Sequence, residues 1–216
     1  EHLVMPGCVY ISHPTELGTL YTREQIEGLR KVCDTYNMPL FLDGARLGYG
    51  MAARPEIDLP FLAKNCDAFY IGGTKNGALF GEAVVIANER LREAWPFLIK
   101  ERGGLLAKGR LLGLQFNELL KDGLYFELSE YAVGLAMKLK KALTEMGVPF
   151  QADSPSNQQF PILPDDTLAE LEKEFAFSFW EKVDATHTAV RVCTSWATQA
   201  SSVQALIEAL DKVEEG

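Results

Sequence analysis

Hydrophobic residues along this chain form two kinds of pattern, short unbroken runs and longer stretches at helical spacing, and the two alternate. Cys8-Val9-Tyr10-Ile11-Ser12 is the first short run. A polar loop follows, His13-Pro14-Thr15-Glu16-Leu17-Gly18-Thr19, and then Thr22-Arg23-Glu24-Gln25, a capping box at a helix start. Ile26, Leu29, Cys33 and Tyr36 recur at helical spacing until Asn37 and Pro39 end the helix. Leu40-Phe41-Leu42 is the second run, and Leu59, Phe61 and Leu62 predict a brief helix. Ala68-Phe69-Tyr70-Ile71 and Ala83-Val84-Val85-Ile86-Ala87 are the third and fourth runs. Short runs apolar on both faces, alternating with helices, predict a parallel α/β sheet joined by right-handed crossovers. No helix separates the third run from the fourth, so the fourth strand is expected to be antiparallel.

The pattern changes near Gly103-Gly104. Residues 105–122 read as helical, Gly123 breaks the pattern, and Leu124, Leu128, Tyr131, Leu135, Leu139, Leu143 and Met146 then line one helical face. Lys138, Lys140 and Lys141 sit near the end of that helix, where its dipole favours cations and solvent takes them up. Segments 159–163, 174–180 and 188–194 are rich in Phe and β-branched residues, and a last helix carries Val203, Leu206, Ile207, Leu210 and Val213. Helices and strands segregated in this way predict a smaller α+β domain. The expected division is 1–104 and 105–216.

Composition narrows the possible partners. The 216 residues are 47% hydrophobic and 24% charged, a globular profile with ample material for a core. A net charge of −9 and a pI near 4.9 argue against nucleic acid or an anionic membrane as partner. No apolar run approaches the ~20 residues of a membrane span. Cys8, Cys33, Cys66 and Cys193 are scattered without a CxxC pair, which argues against a metal site or disulfide and for a reducing cytoplasm. The chain opens at Glu1 without an initiator Met and reaches a buried-strand pattern by Val9, so it reads as beginning partway through a fold.

In an open parallel sheet, ligands bind beyond the carboxyl ends of the strands. The polar residues there are Thr15 and Glu16 after the first run, Asp43 and Arg46 after the second, and Thr74 and Lys75 after the third. The last two lie in Ile71-Gly72-Gly73-Thr74-Lys75-Asn76-Gly77, which lacks the ordered G-x-x-x-x-G-K-S/T spacing and following helix of a nucleotide P-loop. An aldehyde cofactor fits better. A lysine in a low-dielectric site near other cations loses its proton easily and forms a Schiff base with pyridoxal phosphate. That cofactor needs a carboxylate opposite its ring nitrogen, and Asp43, one strand–helix–strand unit before Lys75, is the candidate. Arg46 is placed to donate to the phenolic oxygen.

Leu42-Asp43-Gly44-Ala45-Arg46 followed by Gly73-Thr74-Lys75-Asn76-Gly77 resembles the threonine aldolase and β-eliminating lyase group of fold-type I pyridoxal phosphate enzymes. The resemblance implies Lys75 as the cofactor-bearing lysine, Asp43 as partner of the pyridine nitrogen and Arg46 as partner of the phenolic oxygen. Thr74 becomes a candidate for the cofactor phosphate. Val190-Arg191-Val192-Cys193 is similar to the strand whose arginine grips the substrate carboxylate, and Thr15 and Glu16 fall beside the substrate. The implied fold is the later part of a pyridoxal phosphate transferase large domain followed by a small C-terminal domain. The implied activity is cleavage of the Cα–Cβ bond of a β-hydroxy amino acid, threonine giving glycine and acetaldehyde, in a homodimer or homotetramer. Elimination or transamination of another amino acid, or a non-catalytic truncated chain, are the alternatives. The group's phosphate-binding loop and ring-stacking residue have no counterpart here, and the loop Ser12-His13-Pro14-Thr15-Glu16 departs from its usual Asn-containing form. His13 is a candidate for the site or the surface, Asn157 and Gln159 for the substrate or a polar turn, and His2 and His187 have no supporting context.

Overall fold

A computed structural model describes residues 3–215; His2 lies outside the described residues. The first sheet contains β1 (Val9–Ser12), β2 (Leu40–Asp43), β3 (Ala68–Gly72) and β4 (Glu82–Ile86), in that spatial order. β1–β2 and β2–β3 are parallel, with Ser12 opposite Asp43 and Leu42 opposite Phe69. β3–β4 is antiparallel, with Gly72 opposite Glu82, as the missing crossover helix requires.

Helix α1 (Arg23–Thr35) begins at the expected capping box: Thr22 Oγ1 accepts from Gln25 N–H at 3.2 Å, and Gln25 Oε1 accepts from Thr22 N–H at 2.9 Å. Helix α2 (Leu47–Ala53) has no signature in the hydrophobic pattern. Its sequence, Leu-Gly-Tyr-Gly-Met-Ala-Ala, contains two poor helix formers. Burial of Leu47 through Met51 overrides that weakness. Helix α3 (Leu59–Asn65) is the brief helix expected, capped by Asp58, whose side chain accepts from Phe61 N–H at 2.8 Å.

After α4 (Trp95–Glu101), which the pattern did not reveal, the helical stretch expected over 105–122 forms as α5 (Arg110–Leu120). Asp122 and Gly123 take φ of 54° and 84°, which turns the chain into α6 (Leu124–Glu145). The rest comprises β5 (Gln158–Gln159), β6 (Ile162–Pro164), α7 (Asp165–Leu171), β7 (Ser178–Lys182), β8 (His187–Cys193) and α8 (Ala200–Glu215). β5, β6 and β7 all pair antiparallel with β8. The strand expected over 174–180 begins four residues later, because Phe175 and Phe177 are used to pack against the core rather than to pair.

Two apolar cores result. Ile11, Leu40, Leu42, Phe69 and Ile71 pack with Ile26, Leu62, Leu119 and Tyr125 in the first. Leu135, Leu139, Leu143, Leu163, Val190 and Leu206 pack in the second. Helix α6 serves both, through Tyr125 near its start and the leucines further on. Each fully buried aliphatic side chain contributes roughly 1.5–3 kcal/mol. The opposite face of the first sheet carries an aromatic row, Tyr10, Phe41 and Tyr70, with ring centroids 5.4 Å and 6.0 Å apart.

Candidate functional site

The ends of β2 and β3 meet backbone to backbone. Gly72 N–H donates to Gly44 O at 2.9 Å, and a Cβ at Gly44 would lie 1.9 Å from Tyr70 O. A Cβ at Gly72 would lie 2.2 Å from Ala45 O. Only glycine permits this approach, and it sets Asp43-Gly44-Ala45-Arg46 beside Gly72-Gly73-Thr74-Lys75. Helix α6 clamps the junction from below: Tyr125 Oη accepts from Gly48 N–H at 3.1 Å and donates to Gly72 O at 2.9 Å.

The turn after β3 is bolted down on its inner side. Tyr49 Oη donates to the Lys75 carbonyl, and the buried Asn76 side chain donates to Ser129 Oγ at 2.9 Å. The Thr74 and Lys75 side chains point out to the exposed surface, with Thr74 Oγ1 donating to Gly81 O at 3.5 Å. Among the described residues nothing hydrogen-bonds or pairs with the Lys75 amine.

Asp43 is held from two sides. Ala45 N–H donates to Oδ1 at 3.0 Å, and the Tyr10 hydroxyl donates to Oδ2. Burial pushes this carboxyl up, but donation from Tyr10, Tyr70 and Ala45 N–H, together with the nearby Lys75 charge, outweighs it and holds Asp43 below the usual aspartate range. Arg46, largely buried along its stem, pairs with Glu16 at 3.2 Å. Thr15 closes its own loop, its hydroxyl 2.6 Å from that of Thr19.

Arg191 comes to this edge on β8. Its guanidinium lies 5.9 Å from the Trp180 ring centre, and its Nε is buried without a hydrogen-bond partner among the described residues. Cys193, two residues on, marks the convergence. Packed strand ends desolvate its sulfur and push the thiol up, while the charges of Arg191, Arg46 and Lys75 pull it back and that of Glu16 opposes them. Gln158 ties the two halves together, donating to Glu16 O at 3.2 Å and lying 3.7 Å from the Cys193 thiol. The structure therefore gathers Glu16, Asp43, Arg46, Lys75 and Arg191 around one edge.

Tyr10, Tyr49, Tyr125 and Gln158 were not singled out in the sequence, where each reads as a core or turn residue. For Tyr10 the sequence held no signal, because the β1–β2 register that sets it beside Phe41 appears only in the fold. Asn157 and Gln159 are buried braces. Asn157 Nδ2 donates to Thr194 O at 2.7 Å, and Gln159 Nε2 donates to the Ser154 and Ser156 carbonyls at 3.2 Å and 3.0 Å. His187 pairs with Asp184 at 3.1 Å.

His13 is neither at the surface nor free to act; it is fully buried beneath α2. Its Nδ1 accepts from Tyr21 N–H at 3.4 Å. Burial, with help from the Arg54 charge, pushes the imidazole down to about 4 from 6.5. The unfolded chain binds this proton below pH 6.5 and the native state resists it until about pH 4, so stability falls as pH falls through that window. The loss amounts to roughly 3 kcal/mol. His13→Gln is expected to flatten this part of the stability-versus-pH curve in urea melts; an unchanged curve would refute the assignment.

A cleft of about 370 Å³ at the opposite, amino end of β2 and β3 is lined by Arg30, Asp34, Asp67 and Arg90. Three of these charges are engaged with one another or with the backbone: Arg30 pairs with Asp34 at 2.9 Å, and Asp67 accepts from Arg30, Leu40 N–H and Asn88, each at 2.6 Å. Among the described residues no group of acids, histidines or cysteines is arranged to hold a metal, and no helix is long and apolar enough to cross a membrane.

The fold is shared with known proteins. A threonine aldolase structure from Leishmania major superposes with a TM-score of 0.96 at 41% identity, covering 99% of this chain and 63% of that one. A low specificity L-threonine aldolase from Pseudomonas sp. (strain NCIMB 10558) is 27% identical over 208 residues, 95% of this chain and 59% of that protein. The chain thus spans about three-fifths of these relatives' length. The histidinol-phosphate aminotransferase from Clostridium acetobutylicum, at 16% identity and a TM-score of 0.67, shares the fold. That fold is the mixed α/β architecture of pyridoxal phosphate transferases, a mostly parallel sheet with one antiparallel pair. The family model for beta-eliminating lyases matches residues 2–213, and the chain belongs to that pyridoxal phosphate-dependent lyase family.

Proposed function

We propose that this protein carries pyridoxal 5'-phosphate on Lys75 and cleaves the Cα–Cβ bond of a β-hydroxy amino acid, threonine yielding glycine and acetaldehyde. The observation that carries this reading is the Gly44–Gly72 junction, which holds the ends of β2 and β3, and with them Asp43 and Lys75, against each other. The residues suit the cofactor chemically. An ionised carboxylate, an amine with no partner among the described residues and a guanidinium with an orphaned Nε lie along one edge. When bound, the cofactor supplies an electron sink for the pair released at Cα.

The chain's own residues do the rest. Asp43, kept anionic by its donors, holds a proton at the ring nitrogen. Arg46 would donate to the phenolic oxygen. Thr74 supplies a hydroxyl for the phosphate. Arg191 offers the planar fork that grips a carboxylate with two parallel hydrogen bonds and so orients the bonds at Cα. Thr15 and Glu16 line the substrate side, Glu16 steadying Arg46.

A homodimer or homotetramer is part of this reading, supported by the exposed apolar side chains of Leu79, Phe97 and Leu105. So is a cytoplasmic setting, in keeping with four free cysteines.

The test is product analysis of the cofactor-loaded protein with threonine, serine and an aromatic amino acid. Glycine and acetaldehyde from threonine are expected. A keto acid without glycine would mean elimination or transamination instead, and no product from any of the three would leave a non-catalytic chain. Arg191→Ala should raise KM for the amino acid by about 10- to 100-fold, the worth of hydrogen bonds to a charged group, with cofactor retention unchanged. A KM equal to that of the parent would remove Arg191 from the site.

A further inference from the structure

The Asp43 carboxylate has a partner that the proposed chemistry does not call for. Tyr10 is the β1 residue paired with Phe41, and its ring stacks on Phe41 with centroids 5.4 Å and planes 21° apart. Asp43 lies two residues beyond Phe41 in β2, so all three side chains leave the same face of the sheet. From there the Tyr10 hydroxyl donates to Oδ2, while Oδ1 takes Ala45 N–H at 3.0 Å. Both carboxylate oxygens therefore have fixed donors on separate elements, and the plane of the group is set. An ionised carboxylate has about four lone-pair sites, so room remains on each oxygen for a further donor.

We infer that Tyr10 is a positioning residue for Asp43, its phenolic hydroxyl fixing the plane of the carboxylate that would face a ring N–H. The inference rests on the reading of Asp43 as the ring-nitrogen partner. Packing alone does not account for the contact. Tyr10 is 58% exposed and its ring is already seated on Phe41, so the hydroxyl is not needed for burial. Tyr70 on β3 and Lys75 in the following turn are the other ionisable groups whose influence reaches Asp43. The coupling is reciprocal: hydrogen bonding to Asp43, then burial and the Asp43 charge, hold the Tyr10 phenol above its ordinary range.

Tyr10→Phe keeps the stacked ring and removes only the donor. In the cofactor-free protein, carbon-13 NMR titration should show the Asp43 carboxyl titrating higher in Tyr10→Phe than in the parent, with the circular dichroism of the folded protein unchanged and a melting temperature at neutral pH lower only by what that titration shift requires. Asp43→Asn should let the Tyr10 phenol titrate at lower pH, followed by its ultraviolet absorbance. In equilibrium dialysis, Tyr10→Phe should weaken pyridoxal phosphate retention by about 3- to 10-fold, the worth of one ordinary hydrogen bond. An Asp43 titration that does not move in Tyr10→Phe overturns the inference, whatever Asp43→Asn does. Cofactor retention unaffected by Asp43→Asn would instead sink the ring-nitrogen reading, and with it the purpose assigned to Tyr10.

Discussion

Lys75→Ala is expected to lose the visible absorbance of bound pyridoxal phosphate and to leave no borohydride-fixed cofactor on the peptide containing residue 75. Turnover should fall by on the order of 10²- to 10⁴-fold, the size of loss that removing a positioned catalytic side chain gives. The fold should survive. The turn is anchored through its backbone and through Asn76: Tyr49 holds the Lys75 carbonyl and Ser129 holds Asn76. The Lys75 side chain itself is exposed. Stability should therefore stay within about 0.5 kcal/mol of the parent, as for exposed substitutions generally. A variant that melts normally yet keeps the absorbance and the activity would place the reactive amine elsewhere.

Gly44→Ala has the largest expected effect on the fold. The added Cβ would lie 1.9 Å from the Tyr70 carbonyl oxygen, and that neighbour is backbone inside a sheet, with no rotamer to move away. Relief requires parting β2 from β3 at the Gly44–Gly72 hydrogen bond, which is the contact that sets Asp43 beside Lys75. The cost is about 3 kcal/mol, the upper part of the overpacking range, or a melting temperature lower by roughly 6–12 °C for a chain of this size. Cofactor retention should fall with it. Gly28→Ala is the control: it sits in α1 with nothing within 4 Å of the added carbon, and should be neutral or stabilising. If both variants melt alike in parallel scans, the close approach does not exist in solution.

Asp43, Arg46 and Lys75 were legible because each follows a short apolar run, and the run itself tells where a parallel strand ends. The antiparallel β4 was legible for a related reason, since a connection of about ten residues without a helix cannot make a crossover. Arg191 could be placed only on a strand, and its arrival at the same edge depends on Gln158 and Glu16, whose contact joins residues far apart in the chain. Helix α2 escaped the pattern because its glycines are helix-poor and its burial leaves no polar face to set a period. Gly48 is needed there because a Cβ would lie 2.4 Å from Ser129 Oγ. His13 escaped for the opposite reason: in a polar loop it looked exposed, and α2 buries it.

Sequence by itself determined which residues stand at strand ends, the direction of all four strands in the first sheet and the position of a carboxylate and, one unit later, a lysine just beyond successive strands. These are local matters, decided by hydrophobic runs, caps and glycines within a few residues. Tertiary structure alone decided how near those ends lie and what charge they keep. The Gly44–Gly72 approach, the Tyr125 clamp and the Tyr10 hydroxyl on Asp43 are contacts between residues 28 to 77 positions apart. Such contacts depend on which faces meet, and a linear pattern of apolar positions does not encode that.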